Sequence, residues 1–237
     1  MSNNFENLMQ EVEGDIRQEK IEKLWKEYGK TIIGAFVVIV GLSAAYNLWQ
    51  HHQAKQTDII SQQFSSAQSL MFSQNYSDAL AAMESIASSS HRNYAVLAKF
   101  NVASIVKQYS GHKDLQKAEK IYKEIMTDKA VNPIMRDLAT VLYVNLKLDI
   151  STDNDHLKEC LSILEPVVSK ESAHKFLAME SKGLIQFRLK DYKAATDVFL
   201  NIVQSEKSPK DVKLRAQMMA QHIASLLAGN ASEKAAA

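Results

Sequence analysis

The stretch Gly-Leu-Ile-Gln-Phe-Arg-Leu-Lys-Asp-Tyr-Lys-Ala-Ala-Thr-Asp-Val-Phe, residues 183–199, decides the fold. A small residue, Gly183, lies on one predicted helix. An aromatic, Tyr192, opens the next, followed three positions later by Ala195 and four further on by Phe199. The residue types have a physical reason. A small side chain lets the second helix of a hairpin approach the first, and the large one fills the groove toward the next hairpin. The same signature recurs upstream. Ala67, Tyr76, Ala79 and Met83 form one set, Leu115, Ala118 and Tyr122 a second, and Leu157, Cys160 and Leu164 a third. The anchors Tyr76, Leu115, Leu157 and Tyr192 stand 39, 42 and 35 residues apart. A single hairpin cannot bury its apolar face alone, so such units must stack on one another.

Working outward, residues 56–228 read as helix after helix: 56–73, 76–88, 92–109, 113–128, 133–149, 154–169, 172–189, 192–205 and 209–228. Turn residues separate them, including Ser88-Ser89-Ser90, Asn132-Pro133 and Ser208-Pro209, and no period-2 strand pattern competes. Three Pro and seven Gly in 237 residues favour long helices. Tetratricopeptide repeats have a period of about 34 residues, which the last spacing approaches while the other two run longer, so the repeats are irregular. The last unit keeps the consensus spacing through Gly183, Tyr192, Ala195 and Phe199, and the first keeps Ala67, Tyr76 and Ala79. The middle two depart, with longer loops and no small residue at the equivalent position of their first helix. The fold expected here is all-α, a tetratricopeptide-like α-solenoid of helical hairpins, with Lys210 to Leu227 as its cap and residues 229–237 as a flexible tail.

Ahead of the repeats runs Thr31–Trp49, which contains no charged residue. A bilayer core needs roughly 20 apolar residues in a helix, so residues 31–50 are expected to form one transmembrane helix. Asn47 is its one awkward residue, placed near the end where an amide reaches water, and Tyr28, Tyr46 and Trp49 suit the two interfaces. Arg17, Lys20, Lys23, Lys26 and Lys30 precede the run, whereas Lys55 alone closely follows it. The positive-inside rule then puts residues 1–30 in the cytosol and the repeats across the membrane. Ser43-Ala44-Ala45 resembles a cleavage site, but the acid-rich leader and the apolar sequence beyond Ala45 favour an uncleaved anchor. Gly34, Gly41 and Ala45 fall near one face and are candidates for packing against a partner helix; such small residues are also simply common in membrane spans. Residues 1–30 form an amphipathic lead-in helix, with Phe5, Met9, Val12 and Ile16 continued by Ile21, Leu24, Trp25 and Tyr28.

Little in the chain suggests chemistry. A net charge of +1 gives no reason to expect nucleic acid as a partner. The seven His form no zinc-protease or Cys/His metal pattern, and no phosphate loop, dinucleotide turn or nucleophile elbow occurs. No catalytic residue, cofactor or metal is expected. Cys160, the single cysteine, sits among apolar neighbours and is expected to be buried and inert.

Taken whole, the chain resembles a known family. Its head, Glu11-Val12-Glu13-Gly14-Asp15-Ile16-Arg17 through Leu24-Trp25-Lys26-Glu27-Tyr28-Gly29, precedes one span and then irregular hairpins. This is similar to the bacterial inner-membrane family described as the ancillary subunit of the Sec translocon, in its alphaproteobacterial form. The resemblance implies a periplasmic repeat domain, association with the SecYEG channel, and contact with periplasmic chaperones or emerging chains. It brings no catalytic residues. A competing reading is a self-assembling envelope scaffold or cell-division coordinator, with a homo-oligomer as its mark; an enzyme or receptor would need a deep pocket of converging charges.

Overall fold

In the computed structural model the described residues are 57–109 and 115–236, with side chains described as far as Gly229. The lead-in helix, the apolar run Thr31–Trp49 and its Gly34, Gly41 and Ala45 lie outside them. Among the described residues no helix is long and apolar enough to cross a membrane. The chain divides into two units, Met1–Ile59 and Ile60–Ala237, and the second carries the hairpins.

All regular structure among the described residues is helical. Helix α1 covers residues 57–72. It is followed by α2 (Tyr76–Ala87), α3 (Arg92–Tyr109), α4 (Leu115–Thr127), α5 (Pro133–Ile150), α6 (Asn154–Val168), α7 (Lys175–Arg188), α8 (Tyr192–Gln204) and α9 (Lys210–Ala236). Local chemistry sets many of the ends. The side chains of Asn75, Asn132, Asp153 and Asp191 accept hydrogen bonds from the first-turn amides of α2, α5, α6 and α8. Each such cap is worth about 1 kcal/mol. Pro133 follows Asn132 at the first position of α5, where a missing N–H costs nothing.

The first and last hairpins turn in the same way. Gln74 and Lys190 both adopt the left-handed conformation, with φ of 62° and 63°. The amide of Gln74 donates to the carbonyl of Met71 and that of Asn75 to Leu70; likewise Lys190 donates to Phe187 and Asp191 to Gln186. This pair of hydrogen bonds closes the end of one helix. The next residue, Asn75 or Asp191, then caps the following one.

Short connections make sequence neighbours antiparallel. From α2 to α9, each helix packs on the one before and after it, and α5 with α7 and α7 with α9 also meet. The odd-numbered helices α5, α7 and α9 therefore share one face of the stack. One core runs from α1 to α7, with Ala67, Met83, Val102, Leu146, Leu164 and Ile185 buried in it. A second, formed by Met179, Ala195, Phe199, Ile202, Val212 and Ile223, joins α7, α8 and α9.

Two boundaries differ from the sequence expectation. Helix α7 begins at Lys175, not near 172, because the preceding turn is pinned to α5. There Ser172 Oγ and Lys170 Nζ donate to the two oxygens of the buried Asp137, each at 2.6 Å. Helix α9 does not end near Gly229 but continues to Ala236. The Ala-rich sequence past Asn230 holds no proline, and Gly229 alone costs only about 1 kcal/mol against alanine, so the helix propagates through it.

Candidate functional site

The repeat signature residues build the scaffold. Ala67, Ala79, Ala118 and Ala195 have no exposed surface. Gly183 on α7 lies against Phe199 on α8 so closely that a Cβ there would stand 2.7 Å from Phe199 Cζ. Phe199 is itself fully buried. Tyr192 is half-buried at the edge of Phe187, with ring centroids 5.7 Å apart. Tyr76 is half-buried and stacks on Tyr109 at 3.5 Å and 18°. Tyr122 is buried beside Phe100, and burial raises its phenol pKa. Cys160 is buried and unpaired, and burial raises its thiol pKa, with Glu159 adding to the effect. These side chains serve the packing between helices.

The largest of the described cavities lies elsewhere, on the face shared by the odd-numbered helices. A groove of about 380 Å³ crosses α3, α5, α7 and α9. Leu138, Val141 and Leu142 of α5 face Leu177 and Leu184 of α7 across it. Polar groups punctuate this aliphatic lining. The buried Ser181 Oγ donates to Asn145 Oδ1 at 2.7 Å, tying α7 to α5. Arg215 of α9 grips Glu180 of α7 through two bonds, Nε at 2.6 Å and Nη2 at 2.8 Å, while its Nη1 reaches Asp211 at 3.2 Å. Those bonds, led by the one to Glu180, hold the guanidinium pKa above its usual value. Lys107 of α3 pairs with Asp149 of α5 at 2.8 Å. Arg188, in the last turn of α7, donates to the backbone carbonyl of Leu148 near the end of α5.

The groove is a binding geometry: aliphatic walls with a few fixed polar groups. Both carboxylates that line it, Asp149 and Glu180, are ion-paired. Among the described residues no cluster of three or more His, Cys, Asp or Glu could hold a metal ion.

The repeat signature found by sequence reasoning comes together as the inter-helix packing, not as the groove. Asn145, Ser181, Glu180, Arg188 and Arg215 were not singled out. The available signal was the breadth of the apolar surface on α5, whose buried positions include Ala139, Val141, Tyr143, Val144, Leu146 and Leu148. A helix apolar on so many sides is central to its domain and flanked by others.

Searches of the curated proteins and of the solved structures gave no match. Residues 22–225 match the family described as the tetratricopeptide repeat-like domain. Such domains are protein-interaction modules whose stacked hairpins present an extended concave surface. The match covers most of the chain and takes in every unit of the repeat signature, so this protein belongs to the tetratricopeptide repeat-like domain family.

Proposed function

We propose that this protein is a membrane-anchored interaction module whose inner groove holds segments of other polypeptides beyond the membrane. The observation that carries this is the groove itself, with aliphatic walls from α5 and α7 and polar groups fixed by hydrogen bonds and ion pairs. A surface already organised in this way loses little entropy on binding. The charge-free run Thr31–Trp49 supports the anchor, and the family match, which begins at residue 22, includes it. The five basic residues from Arg17 to Lys30 support a cytosolic N-terminus and a periplasmic stack.

On the strength of the resemblance in the head and span, the partners we favour are Sec translocon subunits and the periplasmic chaperones or emerging chains beside them. Tethering to the membrane raises the effective concentration of the groove near such partners. We read the groove as a place for holding and not for reaction, since its carboxylates serve as ion-pair partners.

The test is photo-crosslinking in intact membranes from probes placed at Leu142 and at Leu184 of the full chain. Capture of translocon subunits, chaperones or translocating chains is the expected result. Capture of further copies of this chain alone would overturn the reading and favour the self-assembling scaffold.

A further inference from the structure

We infer that the polypeptide segment held by the groove carries an acidic side chain among aliphatic ones, with its carboxylate seated on Arg188. This rests on the groove being the binding surface and adds what it selects.

The charged groups along the lining are unequal. Lys107, Arg188 and Arg215 face the groove against Asp149 and Glu180. Lys107 is satisfied by Asp149 and Arg215 by Glu180 and Asp211. Arg188 is left over: among the described residues no carboxylate lies within ion-pair distance of it. Its hydrogen bond goes instead to the Leu148 carbonyl. That bond uses one of the five donors a guanidinium offers. It also fixes the head over the C-terminal end of α5, whose last carbonyls lack helical partners. The remaining donors form a rigid fork of the shape that matches a carboxylate.

The aliphatic walls set the rest of the ligand. At about 380 Å³ the groove accepts side chains of ordinary aliphatic size beside the charge. It is lined by four helices and opens to solvent, which leaves room for a chain to continue beyond the contact. An internal Asp or Glu carboxylate suits such a site, and amidation in the test below separates it from a chain terminus.

The test uses the full-length chain in detergent and a fluorescent leucine-rich peptide bearing one central glutamate, its glutamine twin, and C-terminally amidated versions of both. Fluorescence anisotropy reads the affinities. The glutamate peptide is expected to bind about tenfold more tightly than its twin, as for one charge-assisted hydrogen-bonded contact. Amidation should leave that ratio unchanged. Arg188→Gln should erase the ratio, and Arg188→Lys should keep part of it, with circular dichroism showing both variants folded. Equal binding of glutamate and glutamine peptides to the native chain would overturn the acidic-segment inference while leaving the groove as the binding surface. A preference that follows the free C-terminus would overturn the internal placement. Binding of neither peptide, or binding that Leu142→Glu does not weaken, would overturn the groove reading itself.

Discussion

Gly183 shows how much one hydrogen atom in place of a methyl group does in this stack. A Cβ would meet Phe199 Cζ at 2.7 Å and Cε1 at 2.9 Å, and the fully buried ring has nowhere to go. Overpacking of this kind costs about 1–3 kcal/mol, and the better helix propensity of alanine returns about 1 kcal/mol. Gly183→Ala should thus destabilise the protein by up to about 2 kcal/mol in chemical denaturation. In a Phe199→Leu background the same change should cost less, because the ring it strikes is gone; equal costs in both backgrounds would show that the two residues are not coupled. Cys160 allows a simpler test. Buried and with its thiol pKa raised, it should resist a thiol reagent in the folded protein and react at once in denaturant.

Helix by helix, the ends were more legible than the surfaces. Asn75, Asn132, Asp153 and Asp191 mark helix starts in the sequence because capping is a transaction between residues two or three apart. The late start of α7 was not legible, since Asp137 sets it from 35 residues away through Ser172. The groove was hidden for the same reason: Asn145 and Ser181 are 36 residues apart and Leu148 and Arg188 are 40. Two predictions belong at this level. Helices α6 and α7 are bridged by Lys182 and Glu165 at 3.0 Å, and the bonds from Lys182 and then Ser169 hold the Glu165 carboxyl below the usual range. A depressed carboxyl stabilises the fold fully above its unfolded value of about 4.3 and loses that contribution as pH falls through the lower folded value. Glu165 is more than half exposed, so the effect is under about 1 kcal/mol. Glu165→Gln should lower the melting temperature slightly at neutral pH and match the native chain in strong acid. In the α7–α8 turn, Lys190→Gly should stabilise by up to about 1 kcal/mol, because glycine takes the left-handed conformation without the steric cost of a Cβ.

For the molecule as a whole, what matters is that helices touch mainly their neighbours in sequence. The repeat signature made the order of stacking readable from Gly183, Tyr192, Ala195 and Phe199, because each unit presents the same demand to the next. What the stack displays on its inner face was not readable, because no rule of burial dictates which polar groups remain once the core is filled. The matched turns at Gln74 and Lys190 carry a kinetic consequence. Each closes its hairpin through bonds spanning a handful of residues, whereas α5 and α6 are joined through Ser151 and Asp153 in extended conformation. Local closures form early because little chain entropy opposes them. Refolding should then start independently at the two end hairpins and finish where the middle ones join. In stopped-flow measurements, Lys190→Gly should therefore speed refolding, and Asp153→Ala should mainly speed unfolding. A chain emerging from the ribosome would complete its first such hairpin before its last had been made.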